Sequence, residues 1–317
     1  MGKWTAADVP SQKGKLAVVT GANSGIGWFT ALELARAGGE VILTTRTEAK
    51  GQDAVERIRR ELPQAEVSFE LLDLASLGSV RAFATKIGAE AKLDLLVNNA
   101  GVMNVPTREL TGDGFELQFG TNFLGPFALT GLVMPVLQRA PSPRVTTVSS
   151  GAANLGTKKI NFDDLQWARS YGPWKAYCQS KLADLIFALE LGRRSAERRL
   201  GLLSDAAHPG YARTNLQTSG AGRPQNLPEK LLAGILSQDA AHGALPTLRA
   251  ATEPDPSQGA YYGPGQMFGM KGDPVLVSVP KPARDRAVAR RLWDVSEKLT
   301  GVRWLTEQVE TGPATPA

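Results

Sequence analysis

Short apolar runs alternate with longer amphipathic stretches along most of this chain. Lys15 to Thr20 (KLAVVT) reads as a strand ending in a glycine-rich turn, and Ile26 to Ala37 then follows the helical period. Val41 to Thr45 is a second strand, followed by a helix in EAKGQDAVERIRREL. Val67 to Leu72 and LGSVRAFATKIGAEA give a third strand and helix. Leu93 to Val97 and Val145 to Val148 are the next two strands, with FLGPFALTGLVMPVL as the helix between them. LGLLSDAAHPG supplies a sixth strand, and GAYYGPG has the length of a last short strand and turn. Strands that are apolar at successive positions are buried on both faces, as in a parallel sheet covered by helices. The pattern predicts a single doubly wound α/β sheet of Rossmann type, flanked by helices on both faces and spanning residues 1–312 as one domain. The polar, glycine-rich stretch after Thr214 predicts a mobile substrate loop around 215–235, and residues 313–317 a disordered tail.

Composition narrows this picture by exclusion. A chain of 317 residues can bury a core that needs no disulfide or metal staple. Cys178 is the only cysteine, which rules out an intramolecular disulfide and fits a reducing compartment. With two histidines beside it, no structural zinc site is expected. The N-terminus MGKWTAADVPSQKGK has no signal-peptide pattern, and no run reaches the roughly 18 uninterrupted apolar residues that span a bilayer. The expectation is a cytoplasmic protein without a membrane span. Basic residues outnumber acidic ones 36 to 31, with clusters at Arg193, Arg194, Arg198, Arg199 and at Arg284, Arg286, Arg290, Arg291. Acidic residues are interspersed near them, so solvated helix faces are favoured over a nucleic-acid surface.

The candidate chemistry begins at Tyr177 and Lys181. Four residues apart in a predicted helix, they share one face. A neighbouring ammonium favours phenolate and draws a tyrosine pKa down from about 10, which lets the phenol exchange a proton with an alcohol or ketone. Upstream, the first strand runs into Thr20-Gly21-Ala22-Asn23-Ser24-Gly25-Ile26-Gly27. Glycines at this spacing allow a tight turn and close approach of backbone to a pyrophosphate, which the following helix N-terminus also attracts. The second strand ends Thr44-Thr45-Arg46, without the carboxylate that would accept from a ribose 2′-OH. Arginine can instead pair with a 2′-phosphate, so Thr45 and Arg46 favour NADP, with NAD possible; Ser24 could add a hydroxyl contact.

These residues, together with Asp73-Leu74, Asn98-Asn99-Ala100-Gly101, Asn122, Ser149-Ser150 and Pro209-Gly210, resemble the short-chain dehydrogenase/reductase family, in order from about Lys15 to Thr214. LTTRTEAKGQDAVERI, FGTNFLGPFALT, INFDDLQWARSYGPWKAYCQSKLA and HPGYARTNL are similar to its retinol-dehydrogenase-like branch, including bacterial members. The resemblance implies a catalytic tetrad of Asn122, Ser150, Tyr177 and Lys181. In it Tyr177 is the general acid in reduction and the base in oxidation, and Ser150 bonds the substrate oxygen. Lys181 lowers the tyrosine pKa and holds the nicotinamide ribose, while Asn122 holds a water linking Lys181 to solvent. It further implies that Asp73 and Leu74 lie at the adenine, that Asn99, Ala100 and Gly101 line the cleft, and that Thr214 with Pro209 and Gly210 holds the carboxamide. The implied partners are a small apolar carbonyl or alcohol substrate and a second copy of the chain, as dimer or tetramer, although members of this branch are sometimes monomeric.

Ser150 and Tyr177 stand further apart than in the family's short form, as they do in this branch, and the intervening segment is expected to form part of the substrate wall. Trp167, Tyr171 and Trp174 there could line an apolar pocket or pack in the core. Cys178 points about 100° round the helix from Tyr177, so an inert buried thiol is expected. His208 could face the pocket, but Tyr177 already fills the role of base. Ser150 lacks a G-x-S-x-G elbow, which disfavours a hydrolase. Two other readings stay open: a dinucleotide-binding redox sensor or scaffold, whose usual mark would be a lost Tyr or Lys, and a sugar-nucleotide epimerase or dehydratase, whose glycine turn is more often G-x-x-G-x-x-G.

Overall fold

The computed structural model describes residues 3–156, 158–211 and 238–303. In chain order the main elements are β1 (Leu16–Val19), α1 (Gly25–Arg36), β2 (Glu40–Thr45), α2 (Glu48–Glu61), β3 (Val67–Leu71) and α3 (Leu77–Gly88). Then come β4 (Leu95–Asn98), α4 (Leu117–Leu137), β5 (Arg144–Val148), α5 (Pro173–Arg198) and β6 (Leu203–Ala207). The last are α6 (Ala240–Thr252), β7 (Tyr261–Gln266), β8 (Lys271–Leu276) and α7 (Arg286–Thr300). All eight strands join one sheet in the order β3-β2-β1-β4-β5-β6-β7-β8. The chain starts in the middle, winds out to β3, returns past β1 and winds out the other way. That reversal between β1 and β4 is where an open α/β sheet leaves a crevice at its carboxyl edge.

Every pairing from β3 to β7 is parallel, as the continuous apolar runs predict. The last pair, β7 and β8, is antiparallel. A strand at Lys271–Leu276 is not evident from the sequence, which carries Gly272 and Pro274 there. The connection from β7 is too short to cross over, so β8 can only fold back as a hairpin.

Helices cover both faces. On one side, Phe119, Phe123, Phe127, Phe187 and Trp293 from α4, α5 and α7 pack ring against ring, with centroids 5.1–6.4 Å apart. On the other, Leu32, Ile58 and Leu248 from α1, α2 and α6 join the core beneath Val19 and Val41. α4 begins at Leu117, ahead of the apolar run at Phe123, because the buried Glu116 carboxylate accepts from the Gln118 and Phe119 amides and caps it. Gly120–Leu124 inside it forms a π turn. Among the described residues, Leu117–Leu137 is the one helix long and apolar enough to cross a membrane, and 83% of its most apolar 18-residue stretch is buried inside the fold. The basic clusters lie on helix surfaces, where Arg193 and Arg194 pair with Glu190. Thr214, the loop over 215–235 and the tail at 313–317 lie outside the described residues.

Candidate active site

A cleft of about 500 Å³ opens at the carboxyl ends of the central strands. Its walls come from the turn after β1, the ends of β2 and β3, the loop after β4, the end of β5, and α5. The glycine turn carries Gly21 at φ 64° and Gly25 at φ 59°, a left-handed conformation that non-glycine residues avoid. A Cβ on Gly21 would lie 2.8 Å from that of Ala100, and one on Gly27 would collide with the Asn99 amide. The turn is pinned from the next strand: the Thr20 hydroxyl accepts from the Asn99 and Ala100 amides at 2.9 and 3.0 Å, and Asn99 Nδ2 donates to the Thr20 carbonyl at 2.8 Å. On the other side Arg57 donates to the Asn23 carbonyl at 2.5 Å.

Asn23, Ser24, Ile26, Thr45, Arg46, Asp73, Leu74, Asn99, Ala100, Gly101, Tyr177, Lys181 and Pro209 all line this cleft, together with the three turn glycines. Gly210 does not; its Cβ position, at φ 65°, is closed off by the Met270 carbonyl of the β7–β8 hairpin. The structure adds Lys50, exposed in the first turn of α2 beside Arg46. Its position four residues beyond Arg46 was the available signal, but on an amphipathic helix it reads as one more solvated lysine. These features suit a dinucleotide: a backbone cradle with no room for side chains, a helix N-terminus, and two cations with no carboxylate where β2 ends.

α5 presents Tyr177 and Lys181 to the same cleft. Gly172 is extended, Pro173 starts the helix, and the spacing of the pair puts both side chains on one buried face. The Ser150 hydroxyl lies near the Tyr177 phenol, close enough to favour its ionised form. Lys181 Nζ donates to the Val148 carbonyl at 3.0 Å and to Asp184 Oδ2 at 2.8 Å. Asn122, in the π turn of α4, donates through Nδ2 to the Val102 carbonyl and to Ser180 Oγ, both at 2.9 Å. Its Oδ1 accepts from the Val102 amide at 2.7 Å, so donors and acceptor are all engaged. The four residues of the expected tetrad thus lie close together although they come from three different segments, and of them Tyr177 and Lys181 line the cleft.

The charge balance at Tyr177 differs from the sequence expectation. Burial dominates and holds the phenol above its ordinary pKa; the Lys181 ammonium and the Ser150 hydrogen bond pull it back part of the way. Asp184 adds to the rise. The sequence shows the lysine but not the depth at which the pair sits. Burial works against the Lys181 charge, yet Asp184 and the Tyr177 oxygen together outweigh it and keep that pKa above the usual lysine value.

The remaining candidates resolve one by one. Cys178 is buried and its thiol is pushed up to about 11 by burial, which leaves it unreactive. Burial holds His208 down to about 4, so it is neutral, packed 5.2 Å from the Tyr261 ring. Trp167 is buried in the core, and Tyr171 donates to the Val105 carbonyl at 2.7 Å. Trp174 alone of the three aromatics is exposed, at 44%, with its ring 5.7 Å from that of Tyr177. No group of three or more metal-ligating side chains occurs among the described residues.

A parallel sheet with this crevice, glycine turn and Tyr–Lys pair is the architecture of a nucleotide-dependent dehydrogenase, and the comparisons agree. The family described as short chain dehydrogenase matches residues 15–162. The chain belongs to the short-chain dehydrogenase/reductase family, whose members oxidise and reduce alcohol and carbonyl groups. Within it the sequence is retinol-dehydrogenase-like: it is 42% identical to human retinol dehydrogenase 13, over 91% of this chain and 85% of that protein. It is 39% identical to mouse polyprenol dehydrogenase, over 92% of this chain and 86% of that protein. The crystal structure of an uncharacterised protein from Mycobacterium paratuberculosis superposes with a TM-score of 0.80 at 42% identity, covering 96% of this chain and all of that one.

Proposed function

We propose that this protein is an NADP(H)-dependent oxidoreductase that interconverts an aldehyde or ketone with the corresponding alcohol on an apolar substrate, using Tyr177 as general acid and base. The observation that carries the reading is the shared cleft, in which the glycine turn, Arg46, Tyr177 and Lys181 form one continuous wall. When bound, the nicotinamide supplies or accepts the hydride. The protein's own residues do the rest. Ser150, close to the phenol, donates to the substrate oxygen as charge develops there. Tyr177 gives that oxygen its proton in reduction and takes it back in oxidation. Lys181 fixes the electrostatics of the phenol and reaches toward Gly101, whose Cβ position is 3.6 Å from Nζ. Asn122 clamps the Val102 backbone with its side chain, so a water held at this residue would fall to its main chain.

The names of the relatives, retinol and polyprenol dehydrogenases, favour an isoprenoid-like alcohol or aldehyde. Trp174, exposed beside Tyr177, offers such a chain an apolar surface. Retention of both Tyr177 and Lys181 in one site argues against a sensor that has lost catalysis. The test is NADPH consumption by the purified chain across a panel of aliphatic, isoprenoid and aromatic aldehydes and ketones; tight NADPH binding with no turnover on any of them would point to the sensor reading.

Cofactor choice has its own test. Arg46 and Lys50 line the cleft and are ion-paired to no carboxylate among the described residues. Arg46→Ala is expected to raise the NADPH dissociation constant about tenfold, the effect of one charge-assisted contact at a partly solvated site, and to leave NADH within about twofold. Lys50→Ala should act in the same direction more weakly. Equal losses for the two nucleotides in a fluorescence titration would remove the 2′-phosphate from the argument.

A further inference from the structure

Among the described residues, Asp184 is the one carboxylate that touches the Tyr177–Lys181 machinery, and neither sequence motifs nor the proposed chemistry accounts for it. It lies three residues past Lys181 on the same face of α5, with its side chain 1% exposed. Oδ2 accepts from Lys181 Nζ at 2.8 Å, whereas Oδ1 is buried without a hydrogen-bond partner. An incompletely satisfied carboxylate in the core is costly, and its lysine would be anchored by the Val148 carbonyl in any case. The carboxylate therefore calls for a functional account.

We propose that Asp184 is a positioning residue that neutralises part of the Lys181 charge and so keeps Tyr177 protonated, biasing the site toward proton donation and carbonyl reduction. The inference rests on the reading of Tyr177 as the general acid. An ammonium alone would draw the phenol toward phenolate, whereas an ammonium already paired with an anion pulls less. The direction agrees with the electrostatics at the phenol, where Lys181 lowers and Asp184 raises. The Asp184 carboxyl, pushed up to about 7 by burial against the pull of Lys181, is ionised throughout the range in which the phenol titrates. The other titratable groups of the cluster are accounted for. Cys178 on the same helix is neutral below about 11, Tyr261 from β7 is held well above the ordinary tyrosine value by burial, and His208 after β6 is neutral. β5 contributes the uncharged Val148 carbonyl, and the next residue the Ser149 hydroxyl, which donates to the Lys181 carbonyl at 2.7 Å.

The test titrates Tyr177 directly in the full chain, as the tyrosinate absorbance of each protein minus that of its Tyr177→Phe counterpart. With wild-type Asp184 the difference should show no ionisation below about pH 10. Asp184→Asn, isosteric and still able to accept from Lys181, should move the midpoint down by about one pH unit. The alkaline limb of NADPH-dependent reduction of 4-nitrobenzaldehyde should move with it, with NADPH affinity unchanged within twofold. Asp184→Glu, which keeps the charge, should retain the wild-type midpoint. An unmoved midpoint in Asp184→Asn overturns the proposal. If that variant does not fold, a wild-type phenol titrating well below 10, or an Asp184→Glu midpoint shifted down, overturns it instead. A shifted titration without turnover on any carbonyl would leave this inference standing and sink the assigned activity; turnover without the shift does the reverse.

Discussion

Replacing Tyr177 by Phe is expected to lower kcat/KM for carbonyl reduction by about 10²- to 10⁴-fold, the range over which a positioned proton donor contributes. NADPH affinity should stay within a few-fold. The substitution removes one hydroxyl and keeps the ring, which packs with Ala152 and Cys178 and lies beside Trp174. The neighbouring Ser150 hydroxyl keeps its partner in the Ala152 amide, so little stability is lost with the phenol. Steady-state rates and a binding titration on the same preparation separate the two effects. A variant retaining more than a tenth of the wild-type rate would take Tyr177 out of the chemistry. The raised phenol also fixes a pH signature. Below its pKa the fraction ionised grows tenfold per pH unit, so alcohol oxidation should climb with pH over a range where reduction stays flat.

The parts of this site that the sequence disclosed share a physical cause. Gly21, Gly25 and Gly27 are legible because only glycine tolerates the positive φ or the closeness of Ala100 and Asn99. Tyr177 and Lys181 are legible because one helical turn is a fixed spacing. Strands buried on both faces announce themselves as apolar runs, which is why β1 to β6 could be placed within a few residues. What stayed hidden depends on neighbours from elsewhere in the chain. β8 has no apolar pattern because it lies at the sheet's edge, with Val275 and Leu276 exposed, and its pairing rests on the backbone of β7. Glu116 looks like a surface residue until the fold buries it as a cap. Asp184 resembles the polar side of an amphipathic helix, yet α5 is buried almost all round between Ala176 and Leu191. A helix enclosed on every side leaves its polar residues no solvent, so each must answer to a partner.

Lys181→Met puts that last point to a quantitative test. The methionine fills much of the volume of the lysine stem, so packing changes little, but among the described residues the Asp184 carboxylate loses its one charged neighbour and the one hydrogen bond to its side chain. Removing one member of a buried pair costs about 3–5 kcal/mol, because the other is left uncompensated. For a chain of this size that is a Tm drop on the order of 10 °C. The loss should be smaller at lower pH, since Asp184 freed of its lysine takes up a proton more readily and a neutral carboxyl is cheaper to bury. Adding Asp184→Leu to Lys181→Met should return most of the stability, as replacing a buried ion pair by apolar residues is often close to neutral. It should not return activity, which needs the ammonium beside Tyr177. Thermal melts at pH 6 and pH 8 for the wild type and the single and double variants, run beside NADPH turnover, give the six numbers required. If Lys181→Met melts with the wild type at both pH values, the pair carries no stability and its burial would be incidental. If the double variant regains turnover, the proton chemistry at Tyr177 does not depend on the ammonium at all.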